Sequence, residues 1–462
     1  TYSSNGNGVG DPVSIGILTN LQTLETLNED PETDLGFHVA VAKTLYAHQL
    51  LQLVDFIGEA AFSQAGNPGE FPAPALDGGA EVYAAALGLL DEAETLFAGN
   101  PTTIGAVDIF YNEDISKWRK LINTIRLKAY YTTGNVSAFN QVIDGGNFIE
   151  SAEDDFFLQY GTSELQPDNR HPDFAADYTP SGANIYQSNW IMETMLNNDD
   201  PRIRYYFYRQ VDATPGADAD PNEEDLNCSL AVPPPHYDGF TYCSVPNGYW
   251  GRSHGNDEGT PPDNFKRAAV GVYPAGGRFD DSSFGNVGLG LGGAGAGIEP
   301  IIMSSYVDFW RGMMASSDAA RADFLKSGLT KSIATVRGFG SLDASADLAS
   351  TAPTDEDVED YIDGIVDAFN SAAGNAKENI YAEQYFTTLY GGATEAWVYY
   401  RLTGFPTTLL PNWEANPGPF PRTLLYPQNE VVTNSGLTQK QTLTEQVFWD
   451  TNPASPTFPA AN

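Results

Sequence analysis

The sequence predicts a mainly α chain: a tetratricopeptide-like scaffold of paired helices, interrupted by a large loop-rich insertion. Three observations carry that expectation. Apolar residues recur at three- and four-residue steps over several long stretches joined by short connections. Between residues 150 and 298 that period disappears, and Tyr, Asn, Asp, Pro and Gly dominate. The 462 residues are 41% apolar and include 7 Trp, 24 Tyr and 25 Phe, enough for a sizeable core. Their 45 Gly and 30 Pro call for long loops between the regular elements.

Residues 34–57 form the first strong element, with Leu35, Val39, Ala42, Tyr46, Leu53 and Ile57 at helical spacing and Gly58 at the stop. The next helix is expected over 80–98, with Val82, Ala86, Leu90, Ala93 and Phe97 as its stripe, and Gly99-Asn100-Pro101 ends it. A third spans 114–133, lined by Ile115, Trp118, Ile122, Ile125 and Ala129. Its polar face carries Lys117, Arg119, Lys120, Arg126 and Lys128, which are expected to pair with the acidic remainder. A short helix over 135–144 follows. Helical period returns at 299–315, 318–338, 355–373 and 376–402, and the chain is Pro-rich again after 403. Asp355, Glu356 and Asp357 sit in the first turn of one of these helices, where they suit its dipole. The chain is expected to be a single domain over 1–462. It comprises an N-terminal helical half (34–150), a loop-rich region (151–298), and C-terminal helices with a Pro-rich closing segment (299–452).

Charge narrows the function. There are 23 basic and 61 acidic residues, a net −38. Such a surface repels phosphate backbones, which argues against nucleic acid and anionic lipid as partners. No apolar run approaches the length of a membrane span. A chain that begins at Thr1 is expected to be a truncated or processed form, so the absence of a secretion signal here does not place the native protein in the cytoplasm.

Cys228 and Cys243 sit in one irregular stretch, LNCSLAVPPPHYDGFTYCSVPNGYWG. Their proximity reads as a local disulfide formed in an oxidising compartment. A metal site built from both cysteines and His236 is the weaker reading, because no second pair supplies ligands at zinc spacing. Asp257, Glu258 and Asp263 could hold a structural calcium, although they do not match an EF-hand and read first as a solvated acidic loop. No other cofactor is expected. The run GNVGLGLGGAGAGIEP has no Walker Lys-Ser/Thr, so it reads as a loop of close backbone packing or positive φ.

No nucleophile elbow, reactive Cys–His pair or H-E-x-x-H is present. Paired carboxylates are uninformative among 61 acids. The loop aromatics say more. Tyr237, Phe240, Tyr242, Tyr249, Trp250, Tyr273, Phe279 and Phe284 share one stretch, with Arg252 and His254 among them. Flat rings suit the C–H faces of sugars while polar tips hydrogen-bond hydroxyls. The expected ligand set is Trp250, Tyr249, Tyr242, Tyr237, His254, Arg252 and Tyr273. Trp250 leads it, because Gly248 and Gly251 could carry its ring outward. Trp190, Trp413 and the 66–79 loop are the places to look if Trp250 proves structural.

Several segments, in order along the chain, resemble the SusD/RagB family. LYAHQLLQLVDFIGEAAFSQA (45–65) resembles its helix and D-x-x-G turn, with Asp55, Gly58 and Ala65 in place and Ala61 where a Pro is usual. WRKLINTIRLKAYYTTGN (118–135) looks like its W-x-K-x-x-N-x-L-R-L-K helix, with Ile125 in place of the first Leu. NDDPRIRYYF (198–207) is similar to its D-P-R segment, and 248–263 and 271–280 to loops of one branch. EAWVYYRLTGFP (395–406) resembles E-x-W-x-x-x-R-x-T-G-x-P, and FPRTLLYPQNE (420–430) resembles P-x-R-x-x-Y-P-x-x-E.

The resemblance implies four tetratricopeptide-like helix pairs with a loop-rich face. It implies lipid anchoring at the outer face of the cell outer membrane, although the family's lipidated Cys does not appear here. It also implies a SusC-like TonB-dependent transporter as partner and no enzymatic activity. The cargo it implies is an oligosaccharide or polysaccharide, with peptide for RagB-like members. The charge favours a neutral glycan such as a β-glucan, mannan or α-glucan. The competing readings are a peptide-capturing lid and, further off, a secreted glycoside hydrolase.

Overall fold

The computed structural model describes residues 16–30, 32–213, 232–242, 245–256, 266–392, 394–454 and 458. The chain is mainly helical and forms two compact units. The first takes Thr1–Glu150, Trp397–Thr403 and Pro419–Pro459, and the second takes Ser151–Ala396, Gly404–Gly418 and Ala460–Asn462.

The first unit starts with α1 (Thr19–Asn28), α2 (Gly36–Ile57), α3 (Gly79–Ala98), α4 (Ile115–Thr132) and α5 (Val136–Gly145). Helix α2 is buried on nearly every side, because its apolar residues leave no polar stripe. It ends at Gly58, whose φ of 81° suits a residue without a Cβ. Consecutive helices pair, α2 with α3 and α4 with α5. Asp114 caps α4 by accepting the N–H groups of Ser116 and Lys117. The α4 polar face pairs as expected at Arg119–Glu94 (2.5 Å) and Arg126–Asp91 (2.6 Å). On the same helix the packing of α4 leaves the Lys128 side chain buried.

The C-terminal strap of this unit explains three of the sequence motifs. Arg401 lies over Trp397 (3.5 Å) and Trp449 (4.7 Å) and donates to the Arg422 carbonyl at 2.8 Å. Burial holds its guanidinium down at about 10. Arg422 in turn forms a bidentate pair with Asp450, Nε to Oδ2 at 2.6 Å, and both side chains are fully enclosed. Asp55 accepts from the Trp449 indole at 2.8 Å and from the Tyr83 hydroxyl, which ties α2 to α3 and to the strap.

The second unit contains β1 (Phe156–Gln159), α6 (Pro172–Asp177), β2 (Gln187–Ser188), α7 (Asn189–Asn197), α8 (Ile203–Tyr206), β3 (Phe207–Tyr208), β4 (Gly251–Arg252), β5 (Ala269–Val270), β6 (Ile298–Ile302), α9 (Ser304–Met313), α10 (Asp318–Gly338), α11 (Leu348–Thr351), α12 (Asp355–Ser371) and α13 (Asn375–Thr388). The strands form three two-stranded pairs: β1–β6 and β3–β5 antiparallel, β2–β4 parallel. Helix α9 packs on α10 and α12 on α13, the same pairing of neighbouring helices as in the first unit. Gly328 permits the α9–α10 approach, because a Cβ there would lie 2.9 Å from the Phe309 ring.

The D-P-R segment forms a buried knot in this unit. Arg202 chelates Asp200 and reaches Ser332 (3.0 Å), Thr387 (3.1 Å) and Thr388 (2.9 Å), while Tyr361 donates to Asp200 at 2.8 Å. One guanidinium thus links α10, α12 and α13. Every lost water contact is replaced by a protein acceptor, as a buried charge requires.

Two helix expectations need correction. Residues 298–302 form strand β6, so the helix predicted from 299 begins at Ser304. The helix predicted over 376–402 is broken into α13 and a second helix, Thr394–Thr403. Gly391 adopts φ 93°, and a Cβ on Gly392 would meet the Tyr306 hydroxyl at 2.9 Å. The Gly-rich run behaves as read: Gly290, Gly292 and Gly295 have positive φ, and a Cβ on Gly292 would strike the Gly277 carbonyl at 2.1 Å.

Candidate ligand-binding face

The loop aromatics divide by burial. Trp250 is 2% exposed, Tyr249 3%, Tyr273 3% and Tyr237 0%. None of these four offers a ring face to solvent, which corrects their assignment as an open sugar platform. Trp250 turns inward for the very reason that was expected to turn it outward. A Cβ on Gly248 would clash with the Val211 carbonyl at 2.2 Å, and one on Gly251 with the Gln187 carbonyl at 2.2 Å. The glycines serve to bring this segment against residues 187 and 211, pairing β4 with β2 and pulling the indole under it. Tyr273 stacks on Tyr206 at 5.5 Å and meets Phe339 edge-on at 5.0 Å, inside the second unit's core.

Tyr242, Arg252 and His254 remain at the surface, the first two half-buried and His254 exposed. Tyr242 and the His254 backbone belong to one patch. Tyr242 stacks on Trp413, with centroids 6.1 Å apart and planes 28° apart. Trp413 rests edge-on against Tyr237 at 5.3 Å, and Tyr237 carries Phe240 on its other side at 6.0 Å. Phe240 is 46% exposed. Trp190, Leu410, Ile191, Leu409 and Phe386 complete the cluster beneath.

The backbone fixes this arrangement. The Trp413 N–H donates to the His254 carbonyl at 2.7 Å, and the Tyr237 hydroxyl donates to the Pro411 carbonyl at 2.9 Å. His236 Nε2 lies 3.1 Å from the Asn412 carbonyl. Gly255 packs so closely on Asn412 that a Cβ would approach its Oδ1 to 2.2 Å. Next to Tyr242, Thr241 donates to Glu193; Arg252 lies over Tyr186 (5.0 Å) and donates to Asn256 (3.0 Å).

Two exposed or half-exposed rings, Phe240 and Tyr242, are thus held on a buried aromatic base, with the His236 imidazole and the Glu193 carboxylate beside it. That chemistry stacks and hydrogen-bonds a hydroxylated ligand. Trp413 belongs to the base, and the signal for it was the Pro-Asn-Trp-Glu turn in the Pro-rich segment after 403.

Cys228, Cys243, Asp257, Glu258 and Asp263 lie outside the described residues, so the disulfide and calcium expectations do too. Among the described residues no cluster of His, Cys, Asp or Glu could hold a metal ion, and no helix is long and apolar enough to cross a membrane.

This scaffold of helix pairs is the fold of solved SusD homologues. Residues 10–223 match the model of the SusD-like family described as starch-binding, associating with outer membrane, the family that the SusD/RagB resemblance pointed to. Among solved structures it is similar to a chitin-binding protein at 21% identity, covering 95% of this chain and 86% of the other with a TM-score of 0.64. A SusD homologue from Bacteroides fragilis matches at 21% identity, 92% and 84% coverage and a TM-score of 0.59. A chitin-binding SusD homologue from Flavobacterium johnsoniae matches at 16% identity, 95% and 85% coverage and a TM-score of 0.60. No curated protein matches the sequence.

Proposed function

We propose that this chain is a non-catalytic binding protein of the cell outer membrane's extracellular face. In this reading it captures an oligosaccharide or polysaccharide and delivers it to a SusC-like TonB-dependent transporter. The observation that carries the reading is the Phe240–Tyr242 surface on its Trp413–Tyr237 base, within a SusD fold whose solved relatives include chitin-binding proteins. The net charge of −38 favours uncharged sugars at this face, such as a β-glucan, mannan or α-glucan, over sulfated or uronic chains. Stacking supplies the affinity, and Arg252, His254 and Glu193 set orientation through hydroxyl contacts. Lipid anchoring through a residue outside this sequence belongs to the same proposal.

Native affinity electrophoresis against a panel of polysaccharides and peptide mixtures tests it. Retardation by a neutral glycan, lost in Phe240→Ala, is the expected result. Retardation by peptides alone would assign a peptide-capturing role, and sustained release of reducing sugar would make the chain a hydrolase. Co-purification with the neighbouring transporter tests the delivery step.

A further inference from the structure

Residues 407–413 carry the base of the aromatic face, and α13 fixes the start of this segment. Thr407 exchanges hydrogen bonds with Asn379, its N–H to Oδ1 at 2.7 Å and Asn379 Nδ2 to its Oγ1 at 2.9 Å. The Thr408 hydroxyl donates to Glu383 at 2.6 Å. Asn379, Glu383 and Phe386 step by four and three along α13, so they share one side of the helix. Leu409, Leu410 and Phe386 then join Trp190 in the cluster under the rings. Beyond Leu410 no hydrogen bond to α13 continues among the described residues, and the position of Trp413 depends on Asn412.

The Asn412 side chain closes a turn around Trp413. Its Oδ1 accepts the N–H of Glu414, two residues on, at 2.9 Å. Asn and Asp make such turns because their short side chain reaches the backbone ahead of them, and the residue spanned loses its freedom. The Trp413 N–H is then free to leave the turn and donate to the His254 carbonyl at 2.7 Å. The Asn412 carbonyl lies 3.1 Å from His236 Nε2, on the loop that carries Tyr237 and Phe240. The Asn412 amide packs over Gly255, whose φ is 74°, and a Cβ there would come within 2.2 Å of Oδ1. One half-buried side chain thus joins its own turn to two other loops of the face. Tyr242 stacks on Trp413, so whatever moves the indole moves the ring above it.

We propose that Asn412 is a positioning residue of the ligand face. It acts through Trp413, holding the indole where Tyr242 stacks on it, and does not itself touch the ligand. This rests on the function proposed above, in which the Phe240–Tyr242 surface binds the glycan.

Titration calorimetry with soluble β-glucan, mannan and α-glucan tests the assignment, together with hydrogen exchange read by mass spectrometry on peptides spanning Trp413. Asn412→Ala weakens binding of the glycan that the unaltered chain takes by about fivefold, the size of one net hydrogen bond, with an unchanged melting temperature. Asn412→Asp keeps the acceptor and restores the affinity. In a Tyr242→Ala background Asn412→Ala costs less than about twofold more, because its effect passes through a stack that is already gone. Asn379→Ala cuts the bonds to Thr407 at the far end of the segment and leaves the affinity as it was. The Trp413 amide exchanges faster in Asn412→Ala and at the original rate in Asn412→Asp. Losses that multiply in the double variant would give Asn412 a contact of its own with the ligand and overturn the proposal. An equal loss in Asn379→Ala would overturn it too, as would an unchanged Trp413 amide in Asn412→Ala. Failure of all three glycans to bind would sink the function proposed above, while the exchange rates still decide whether Asn412 holds Trp413.

Discussion

Asp450→Asn should unfold the first unit far more readily than its small change of shape suggests. The wild-type carboxylate faces Arg422 in a fully enclosed bidentate pair, and the remaining Arg422 donor goes to the Pro453 carbonyl at 2.8 Å. Asparagine keeps the volume but removes the negative charge and turns an amide N–H₂ towards a guanidinium. The guanidinium cannot shed its proton and cannot reach water. Breaking one side of a buried pair costs about 3–5 kcal/mol. For a unit of roughly two hundred residues that corresponds to a fall of about 6–20 °C in its transition. Differential scanning calorimetry, with urea titration of the same variant, reads both quantities. The companion variant Arg422→Met with Asp450→Leu removes both charges and should recover most of the loss, since apolar replacement of a buried pair is often neutral or stabilising. A loss below about 1 kcal/mol for Asp450→Asn would refute the reasoning. So would a double variant as unstable as the single one, because the cost would then lie in packing and not in stranded charge.

Phe240→Ala and Tyr242→Ala should each lower glycan affinity about tenfold or more with an unchanged melting temperature, whereas Trp250→Ala should cost about 3–5 kcal/mol of stability, read by calorimetry and circular dichroism together. His48, enclosed in α2 with neither ring nitrogen hydrogen-bonded, is pushed down from 6.5 to about 3 by burial and then by Lys128. The unfolded chain takes a proton that the folded one refuses, so its contribution is intact above pH 6.5 and falls by about 1.4 kcal/mol per unit as pH drops towards 3. His48→Leu should flatten that part of the stability–pH curve in urea titrations, and an unchanged slope would show that His48 does not carry it. Cys228 and Cys243 should resist alkylation in unreduced protein by intact mass, and two added labels would rule out their pairing.

The helices and most of their ends were legible in the chain because both rest on local rules. Leu35 to Ile57 and Val82 to Phe97 mark buried stripes by spacing alone, and Gly58 marks a stop because few other residues adopt its φ of 81°. The motif residues Arg401, Arg422, Asp55 and Arg202 were visible as letters, but their purpose was not. Each is held by partners far away in sequence, such as Trp449 for Asp55 and Thr388 for Arg202. Exposure was the property the chain could not state. GYWGR reads equally well as a loop that presents its tryptophan and as one that tucks it in, and the choice fell to the Gln187 and Val211 carbonyls, which only folding brings against Gly251 and Gly248. The same holds for Tyr242 and Phe240. They stand at the surface because residues 411–413 arrive beneath them, anchored by the bond from the Trp413 N–H to the His254 carbonyl. Composition and period determine which residues can be buried, whereas contacts between segments distant in the chain decide which of them are.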